Sequence, residues 1–302
     1  MHQFELLIST KNRRDDLLFT LGRISGLLSQ NVTCRVFDDG SDDGTSDAVK
    51  ANFPQIGLLR NDKSKGYLFC RNHLLNTTTA DFAISLDDDA HFLSDDPISR
   101  LSDFFDQNQN CGLVAFRIFW GKDAPETTFS SETSHPVKSF VGCGHAWRMS
   151  AWKTINPYPE WFEFYGEENT ASLELFKKGW QVSYVPEVLV HHRVDQKLRR
   201  TQSDRGFRKR RSLRAGWYMY FLYFPISKIP AKMAYSVWSQ FRNHVFRGEF
   251  QALKILFLCT FDLVVNLGRI SKESNRLTKI EFAAFSKLPE ARIYWHPKKE
   301  NR

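Results

Sequence analysis

The first 90 residues alternate between short apolar runs and longer segments whose apolar residues recur at helical spacing. Apolar runs of four to six residues bounded by polar turns are typical of buried strands. The runs that predict strands are 4–9, 32–37, 56–60 and 82–86. The segments that predict helices are 13–30, 46–53 and 67–76. Because strands that alternate with helices form parallel sheets, the pattern predicts an α/β fold.

Three of these predicted strands end in polar residues that suit a nucleotide. Thr10 and Asn12 follow the first strand, Asp38-Asp39 the second, and Asp87-Asp88-Asp89 the fourth. Ligands of parallel sheets bind outside the carboxyl ends of the strands. Three adjacent carboxylates repel one another unless a cation lies among them, and oxygen ligands suit Mg²⁺ or Mn²⁺. The alternative is an acidic turn exposed to solvent.

Composition narrows the class of protein. The 302-residue chain is 42% hydrophobic and 14% aromatic, enough to bury a substantial core. Its five cysteines are scattered and lack metal-site spacing, so we expect a reducing compartment. The chain starts in a strand-like segment, without the features of a signal peptide. The longest apolar stretch, 250–267, is interrupted by Lys254 and Asp262, so no membrane span is predicted.

Charge divides the chain into two parts. Residues 1–192 contain 18 Lys and Arg against 26 Asp and Glu, whereas residues 193–302 contain 24 against 8. Such asymmetry indicates two tasks within one chain. The acidic part has the features of a metal-using catalytic body, and the basic part those of a region that meets a polyanion.

Several motifs, taken in order, resemble family 2 glycosyltransferases of the bacterial glycan-biosynthesis type. The donor-half motifs are Ile8-Ser9-Thr10-Lys11-Asn12-Arg13, Phe37-Asp38-Asp39-Gly40-Ser41, Gly66 to Asn72, and Leu86-Asp87-Asp88-Asp89. The acceptor-half motifs are Gly142-Cys143-Gly144-His145, Tyr165-Gly166-Glu167-Glu168 and Val185 to His192. The resemblance implies an inverting enzyme with a GT-A fold, a Rossmann-like mixed sheet. It implies a catalytic domain over 1–195, with a nucleotide-sugar half at 1–90 and an acceptor half at 91–195.

Donor-binding residues follow from the chemistry of a sugar nucleotide. Thr10 and Asp38 offer the short hydrogen-bonding groups that a base needs, although Asp38 also fits a plain turn. Arg71 lies early in a predicted helix and is shaped for phosphate, with Lys65 a weaker candidate. The matching motifs add further donor-site candidates, which are Asn12, Arg13, Asp87, Asp88 and Gly144.

The resemblance also implies a metal site. Asp87 would reach the ribose, and Asp89 would hold Mg²⁺ or Mn²⁺ on the diphosphate. His192 would be a second protein ligand, because it fits the family position better than His191 does. Such an ion neutralises the charge that builds up on the leaving diphosphate.

Inverting transfer needs a base that deprotonates the acceptor hydroxyl. Glu168 is the first candidate and Glu167 the second, because the family more often has Glu-Asp where this chain has Glu-Glu. The family's arginine is also missing from the following helix, where Glu174 stands. Two glutamates that open a helix can instead serve as favourable capping charges. Trp147, Trp161, Phe162 and Tyr165 could stack on acceptor sugars or pack in the core.

Residues 196–302 are expected to form a helical, basic and aromatic extension. Basic clusters at 199–200 and 208–211 precede the aromatic run 217–225, which is typical of a helix in a membrane interface. We therefore expect a cytoplasmic protein that associates peripherally with the inner face of the cell membrane. Packing of a helical tail on the catalytic body is the alternative. Nucleic-acid binding is not expected, because no recognition motif accompanies the charge.

The leading functional hypothesis is metal-dependent transfer of a sugar from a nucleotide donor to a glycan or lipid-linked glycan. A nucleotidyltransferase that makes sugar nucleotides is a second hypothesis. It is disfavoured because the segment 10–14 lacks the glycine-rich phosphate loop of that class. A non-catalytic sugar-nucleotide-binding protein of the same fold is the third.

Overall fold

The computed structural model describes residues 2–194 and 205–297. Nine strands run over β1 (Phe4–Thr10), β2 (Val32–Asp38), β3 (Gly57–Arg60), β4 (Phe82–Asp87), β5 (Ala90–Phe92), β6 (Cys111–Trp120), β7 (His135–Pro136), β8 (Gly144–Arg148) and β9 (Gln181–His192). The α-helices of the first part are α1 (Arg14–Ile24), α2 (Thr45–Asn52), α3 (Tyr67–Thr77), α4 (Pro97–Gln107), α5 (Met149–Trp152) and α6 (Glu167–Lys177). Those of the second part are α7 (Arg205–Tyr223), α8 (Ile229–Asn243), α9 (Gln251–Val265), α10 (Leu267–Glu273) and α11 (Lys279–Lys287).

The strands form one mixed sheet in the order β3-β2-β1-β4-β8-β6-β9-β5, with β7 paired to β9. The first four strands are mutually parallel, and β8 lies antiparallel between β4 and β6. The predicted α/β class and the strand–helix alternation over residues 1–90 are therefore confirmed. The first helix is shorter than predicted: it ends at Ile24, and a 3₁₀ turn over Ser25–Leu27 replaces its last turns.

Each face of the sheet carries its own hydrophobic core. In β1, Leu6 and Ile8 point into one core with α1, whereas Leu7 points into the other with α3. This alternation is the two-residue period of a strand that is buried on both faces. The helices α6, α7 and α9 complete the second core, so part of the basic extension packs on the catalytic body.

Polar contacts hold the helices of the extension together and also fix the extension to the body. Arg210 of α7 makes a two-pronged ion pair with Asp262 of α9. The buried Glu174 accepts a hydrogen bond from Asn275 at 2.9 Å, and Lys177 donates to the same asparagine side chain at 2.7 Å. Glu174 thus stands where the family has arginine and holds the segment that follows α10.

Core packing explains two of the four aromatic residues that were candidates for sugar stacking. Trp147 and Phe162 are completely buried, so neither ring can meet an acceptor.

The charge cluster at Arg199 and Arg200 lies outside the described residues. Among the described helices, none combines the length and the apolar character that crossing a bilayer requires.

The two tryptophans 147 and 238 provide a matched test of this packing. Trp147→Ala should lower the free energy of unfolding by about 3–5 kcal/mol, because it empties a closed site in the core. Trp238 is 54% exposed, and Trp238→Ala should change stability by less than about 0.5 kcal/mol. Urea denaturation followed by circular dichroism measures both, and similar losses for the two variants would contradict this assignment.

Candidate active site

The carboxyl ends of β1, β2 and β4 meet at one rim of the sheet. In the register, Thr10 lies opposite Asp38, and Ser9 lies opposite Asp87. A cavity of about 980 Å³ opens at this rim. Its lining includes the predicted site residues Thr10, Arg13, Lys65, Asp87, Asp88, Asp89 and His192. Residues from distant parts of the sequence are therefore brought together, as the strand ends predicted.

A cluster of three potential metal ligands lies in this cavity. One ligand atom each from Asp87, Asp89 and His192 falls within 4.8 Å of the others. His192 Nε2 is 3.0 Å from Asp89 Oδ1 and 4.0 Å from Asp87 Oδ2. Burial alone would lower the pKa of His192, but Cys143 and Asp89 beside it raise that pKa to about 11. His191 points elsewhere, since its Nε2 lies 2.8 Å from the carbonyl oxygen of Gly121.

Arg13 supplies the positive charge between the aspartates. Its guanidinium lies 3.1 Å from Asp88 and 2.8 Å from Asp89. Thr10 donates a hydrogen bond to the second carboxylate oxygen of Asp88 at 2.8 Å, so Thr10 orients an aspartate. Burial raises the pKa of Asp88 to about 7, although Arg13 opposes the shift. Burial also disfavours the charged form of Asp89, yet hydrogen bonds from His192 and Arg13 hold its pKa below the usual range.

Arg71 lies behind the cavity wall and not in it. It is 3% exposed, donates to Asp87 Oδ1 at 2.6 Å and to the Gly142 carbonyl at 2.8 Å, and stacks on Tyr67. The structure therefore does not place Arg71 where it can bind a diphosphate directly. It holds Asp87 in position, and its charge balances the nearby carboxylates of Glu167 and Glu168.

The structure places the second carboxylate of the Asp38-Asp39 pair at the cavity, and not the first. Asp38 is completely buried, and its oxygens already accept hydrogen bonds from the Ser41 amide, Ser46 and Arg60. Asp39 lines the cavity and accepts hydrogen bonds from the segment that leads into α3. Asp38 therefore ends β2 and its side chain holds the turn that follows, which agrees with the turn alternative for this motif.

Three other predicted donor residues have different positions. Lys65 lines the cavity with its ammonium 4.7 Å from the centre of the Phe69 ring. Asn12 does not line it: its side chain accepts a hydrogen bond from the Asp42 amide and ties two loops together. Gly144 is buried in β8, where a Cβ would come within 3.2 Å of Phe116 and Ile118, so packing requires this glycine. The predicted donor-site role of Gly144 does not fit this position.

Glu167 and Glu168 open α6 close to Arg71 and Asp87. Glu167 is 3% exposed, and its Oε2 has no hydrogen-bond partner among the described residues. Burial and the charge of Glu168 raise the pKa of Glu167 to about 8. Glu168 is half-buried, and burial also raises its pKa. A Cβ at position 142 would lie 2.8 Å from its Oε1, so Gly142 leaves room for this carboxylate.

The sequence patterns missed part of the cavity wall. It includes Glu160, Glu163, Phe164 and Arg193, and Arg211 reaches it from α7. Arg193 follows His192 directly, so its position could have been expected from the end of the strand. Glu163 and Tyr165 adopt left-handed backbone conformations, with φ of 68° and 72°. Strain of this kind at non-glycine residues collects at functional loops but leaves no sequence signal.

Comparison with known proteins identifies the family. The model of Glycosyl transferase family 2 matches residues 5–161. The chain belongs to glycosyl transferase family 2. No curated protein matches the chain.

Solved structures confirm the predicted GT-A fold. GalNAc-T7 with UDP, GalNAc and Mn²⁺ matches with a TM-score of 0.62 and 13% identity, over 78% of this chain and 51% of that one. The mannosyltransferase PcManGT from Pyrobaculum calidifontis with GDP-Man and Mn²⁺ matches with a TM-score of 0.55 and 13% identity, over 94% of this chain and 79% of that one. S. aureus TarS 1-349 with UDP-GlcNAc matches with a TM-score of 0.53 and 14% identity, over 70% of this chain and 64% of that one. The chain thus spans between half and four fifths of the length of these neighbours.

Metal binding at the Asp-Asp-His cluster can be tested directly. Two carboxylates and an imidazole that converge beside a third carboxylate fit Mg²⁺ or Mn²⁺. Asp89→Asn should weaken Mn²⁺ binding about tenfold or more, because a charged ligand is lost. Arg13→Gln should strengthen it about threefold, because a competing cation within 3.1 Å of two carboxylates is removed.

Electron paramagnetic resonance of free Mn²⁺ measures both affinities without any substrate. Asp42→Asn is the matched control, since this exposed aspartate lies outside the cavity. The cluster is not the metal site if Asp89→Asn and Asp42→Asn bind Mn²⁺ alike.

Proposed function

We propose that this chain is an inverting glycosyltransferase that moves a sugar from a nucleoside-diphosphate donor to a glycan or lipid-linked glycan. The observation that carries the proposal is the convergence of Asp87, Asp89 and His192 in a cavity large enough for a sugar nucleotide. Family membership supports it, as do folds shared with GalNAc-T7, PcManGT and TarS, whose structures hold UDP, GDP-Man and UDP-GlcNAc.

The charges in the cavity suit a diphosphate. Asp87, Asp89 and His192 would hold Mn²⁺ or Mg²⁺, which supplies positive charge to the departing nucleoside diphosphate. Arg13, released from Asp88 and Asp89 when that charge is present, is long enough to turn towards a phosphate oxygen. Asp39 replaces Asp38 as the carboxylate proposed for the nucleobase, because it lines the cavity.

We assign the role of base to Glu168. Burial raises the pKa of both adjacent glutamates, and such a pair separates into one acid and one base. Glu167, with a pKa of about 8 and 3% exposure, keeps its proton at neutral pH. Glu168 is half-buried and therefore more exposed than Glu167; because neither glutamate lines the donor cavity, the acceptor hydroxyl would approach Glu168 from beside that cavity. A raised pKa also makes Glu168 a stronger base than an ordinary glutamate.

Replacement of the base tests the reaction. Glu168→Gln should lower kcat for release of nucleoside diphosphate by about 10²–10⁴-fold while donor binding persists, because the base acts only in the reaction. Glu126→Gln, at an exposed loop position, is the control. In the native chain kcat should fall as the pH drops through the raised pKa of Glu168. This acid limb should lie above the pH of about 4.3 at which an ordinary glutamate titrates.

The assay uses UDP-GlcNAc, UDP-GalNAc and GDP-Man with Mn²⁺, and water or added glycans as acceptor. Full activity of Glu168→Gln would show that another group is the base. Exchange of pyrophosphate into the sugar nucleotide would favour a nucleotidyltransferase. Donor binding without turnover in the native chain would favour a non-catalytic binding protein.

We also propose that the extension docks on the inner, anionic face of a membrane. Its outer surface exposes large apolar side chains, defined here as the apolar face: Tyr235, Trp238, Phe246, Phe250, Leu253, Phe257, Phe261, Val264, Val265 and Leu267. Their exposed fractions range from 42% to 71%, far from the burial that such residues usually reach. Residues 226–272 contain seven Lys and Arg against two Asp and Glu, which complements anionic lipid.

Vesicle binding tests this docking. The double variant Trp238→Ser/Phe257→Ser should weaken binding to phosphatidylglycerol vesicles about tenfold or more, because two apolar side chains no longer enter the interface. Phe129→Ser is the control, since Phe129 is 78% exposed but lies in the loop between β6 and β7. Co-sedimentation measures both, and equal binding of the two proteins would reject the apolar face.

A further inference from the structure

A second groove lies between α7 and α8, outside the donor cavity. Its volume is about 520 Å³. It is lined by Tyr165, Arg208, Lys209, Ser212, Leu213, Gly216, Trp217, Tyr220, Ser236, Gln240 and His244. Aromatic rings, hydroxyl groups and an amide line its walls, and cationic residues gather at one end. Trp217 is 2% exposed and donates its indole N–H to Ser236, so Tyr165 and Tyr220 are the more accessible rings. Rings and neutral hydrogen-bonding groups of this kind suit sugars, whose faces are apolar and whose edges are polar.

The groove adjoins the donor cavity. Glu163 and Phe164 line the cavity, whereas Tyr165, the next residue, lines the groove. On α7, Arg211 lines the cavity and Ser212 lines the groove. Tyr165 is two residues from Glu167 and three from the proposed base Glu168. A chain of sugars could therefore extend from the reacting centre into the groove.

Gly216 keeps the middle of the groove open. It lies inside α7, where glycine costs about 0.5–1 kcal/mol relative to alanine. A Cβ at this position would meet no atom within 4 Å, so packing does not require the glycine. Its effect is to leave space beside Trp217 and Tyr220.

The cationic end contains a site that already holds a carboxylate. Arg208, Lys209 and His244 line it. Glu249 places one oxygen 3.0 Å from Lys209 Nζ and 3.0 Å from His244 Nδ1. This glutamate is exposed and lies on the short connection between α8 and α9, so its side chain can turn away. The arrangement presents an anion position that an internal carboxylate fills when no other anion is bound.

We propose that this groove is an acceptor subsite for a sugar that carries a phosphate. The sugar lies on the aromatic wall towards Tyr165, and the phosphate replaces Glu249 between Lys209 and His244, with Arg208 beside them. Arg and Lys are the side chains suited to phosphate. Trp238 and Phe246 of the apolar face pack together next to this end of the groove, because Phe246 lies two residues from His244. The inference rests on the proposed glycosyl transfer and names the chemical class of its acceptor.

Binding of glucose 1-phosphate tests the groove. It is measured by isothermal titration calorimetry, with EDTA present to suppress metal-dependent binding in the donor cavity. Arg208→Gln/Lys209→Gln should weaken binding about tenfold, and Glu249→Gln should strengthen it about threefold by removing the competing carboxylate. A purely structural ion pair would give no gain for Glu249→Gln. Glucose should bind more weakly than glucose 1-phosphate by about tenfold or more.

A second set of variants fills the groove sterically. Gly216→Trp should abolish binding of glucose 1-phosphate, whereas Gly216→Ala should leave it unchanged and stabilise the helix. Gly268→Trp is the matched control, since a Cβ at this other helical glycine also meets nothing within 4 Å and lies outside the groove. If wild-type affinity persists in Gly216→Trp and in Arg208→Gln/Lys209→Gln, the probe binds elsewhere and the proposal is overturned.

Donor turnover separates this inference from the proposed function. Gly216→Trp should retain hydrolysis of sugar nucleotides with Mn²⁺, because the donor cavity is untouched. If the native chain binds glucose 1-phosphate in the groove but turns over no donor, the proposed function fails while the groove stands. Competition then identifies the source of the phosphate. If phosphatidate vesicles displace glucose 1-phosphate and phosphatidylcholine vesicles do not, the natural ligand carries a lipid phosphate. If neither displaces it, the natural ligand is a phosphate-bearing, water-soluble glycan.

Discussion

Charge balance at the rim of the sheet is the constraint on which the rest of the site depends. Asp87, Asp88 and Asp89 leave β4 where β1 and β2 also end, in a setting that excludes much of the water. Carboxylates packed this closely are costly unless cations compensate them. Arg13, Arg71 and His192 each provide that compensation from a different part of the chain. The geometry of the cavity therefore meets an electrostatic requirement, in addition to forming the proposed donor pocket.

Charge compensation is shared between cations that differ in burial. Arg71 is buried and ties Asp87 to the Gly142 carbonyl, next to Glu168, so it links the donor side of the site with the proposed base. Arg13 is 41% exposed and can leave its partners. A fixed cation at Asp87 and a movable one at Asp88 and Asp89 allow the site to keep its shape while its total charge changes. That property suits a reaction in which a diphosphate arrives charged and departs charged.

The basic extension is part of the catalytic body and also an independent surface. Its helices α7 and α9 complete the second core, and Glu174 and Lys177 of the catalytic helix α6 hold Asn275. Its outer side keeps large apolar groups in solvent beside a groove with cationic and aromatic walls. The extension thus packs against the helix that carries Glu168, and its remaining surface carries the proposed acceptor groove and the proposed membrane-binding face.

Sequence periodicity alone determined the strands β1 to β4, the helices between them and the meeting of Thr10, Asp87 and Asp89, because strand ends in a parallel sheet share one rim. The tertiary structure decided which neighbour in each polar pair faces the cavity. Asp39 lines it and Asp38 does not, since successive side chains at the end of a strand point to opposite faces. No sequence pattern distinguishes a packing role from a binding role for Arg71, Gly144 and Trp147, because their burial depends on which other parts of the chain surround them. The groove beside Gly216 likewise exists only once α7 and α8 pack together, and no local pattern records the space left between two helices.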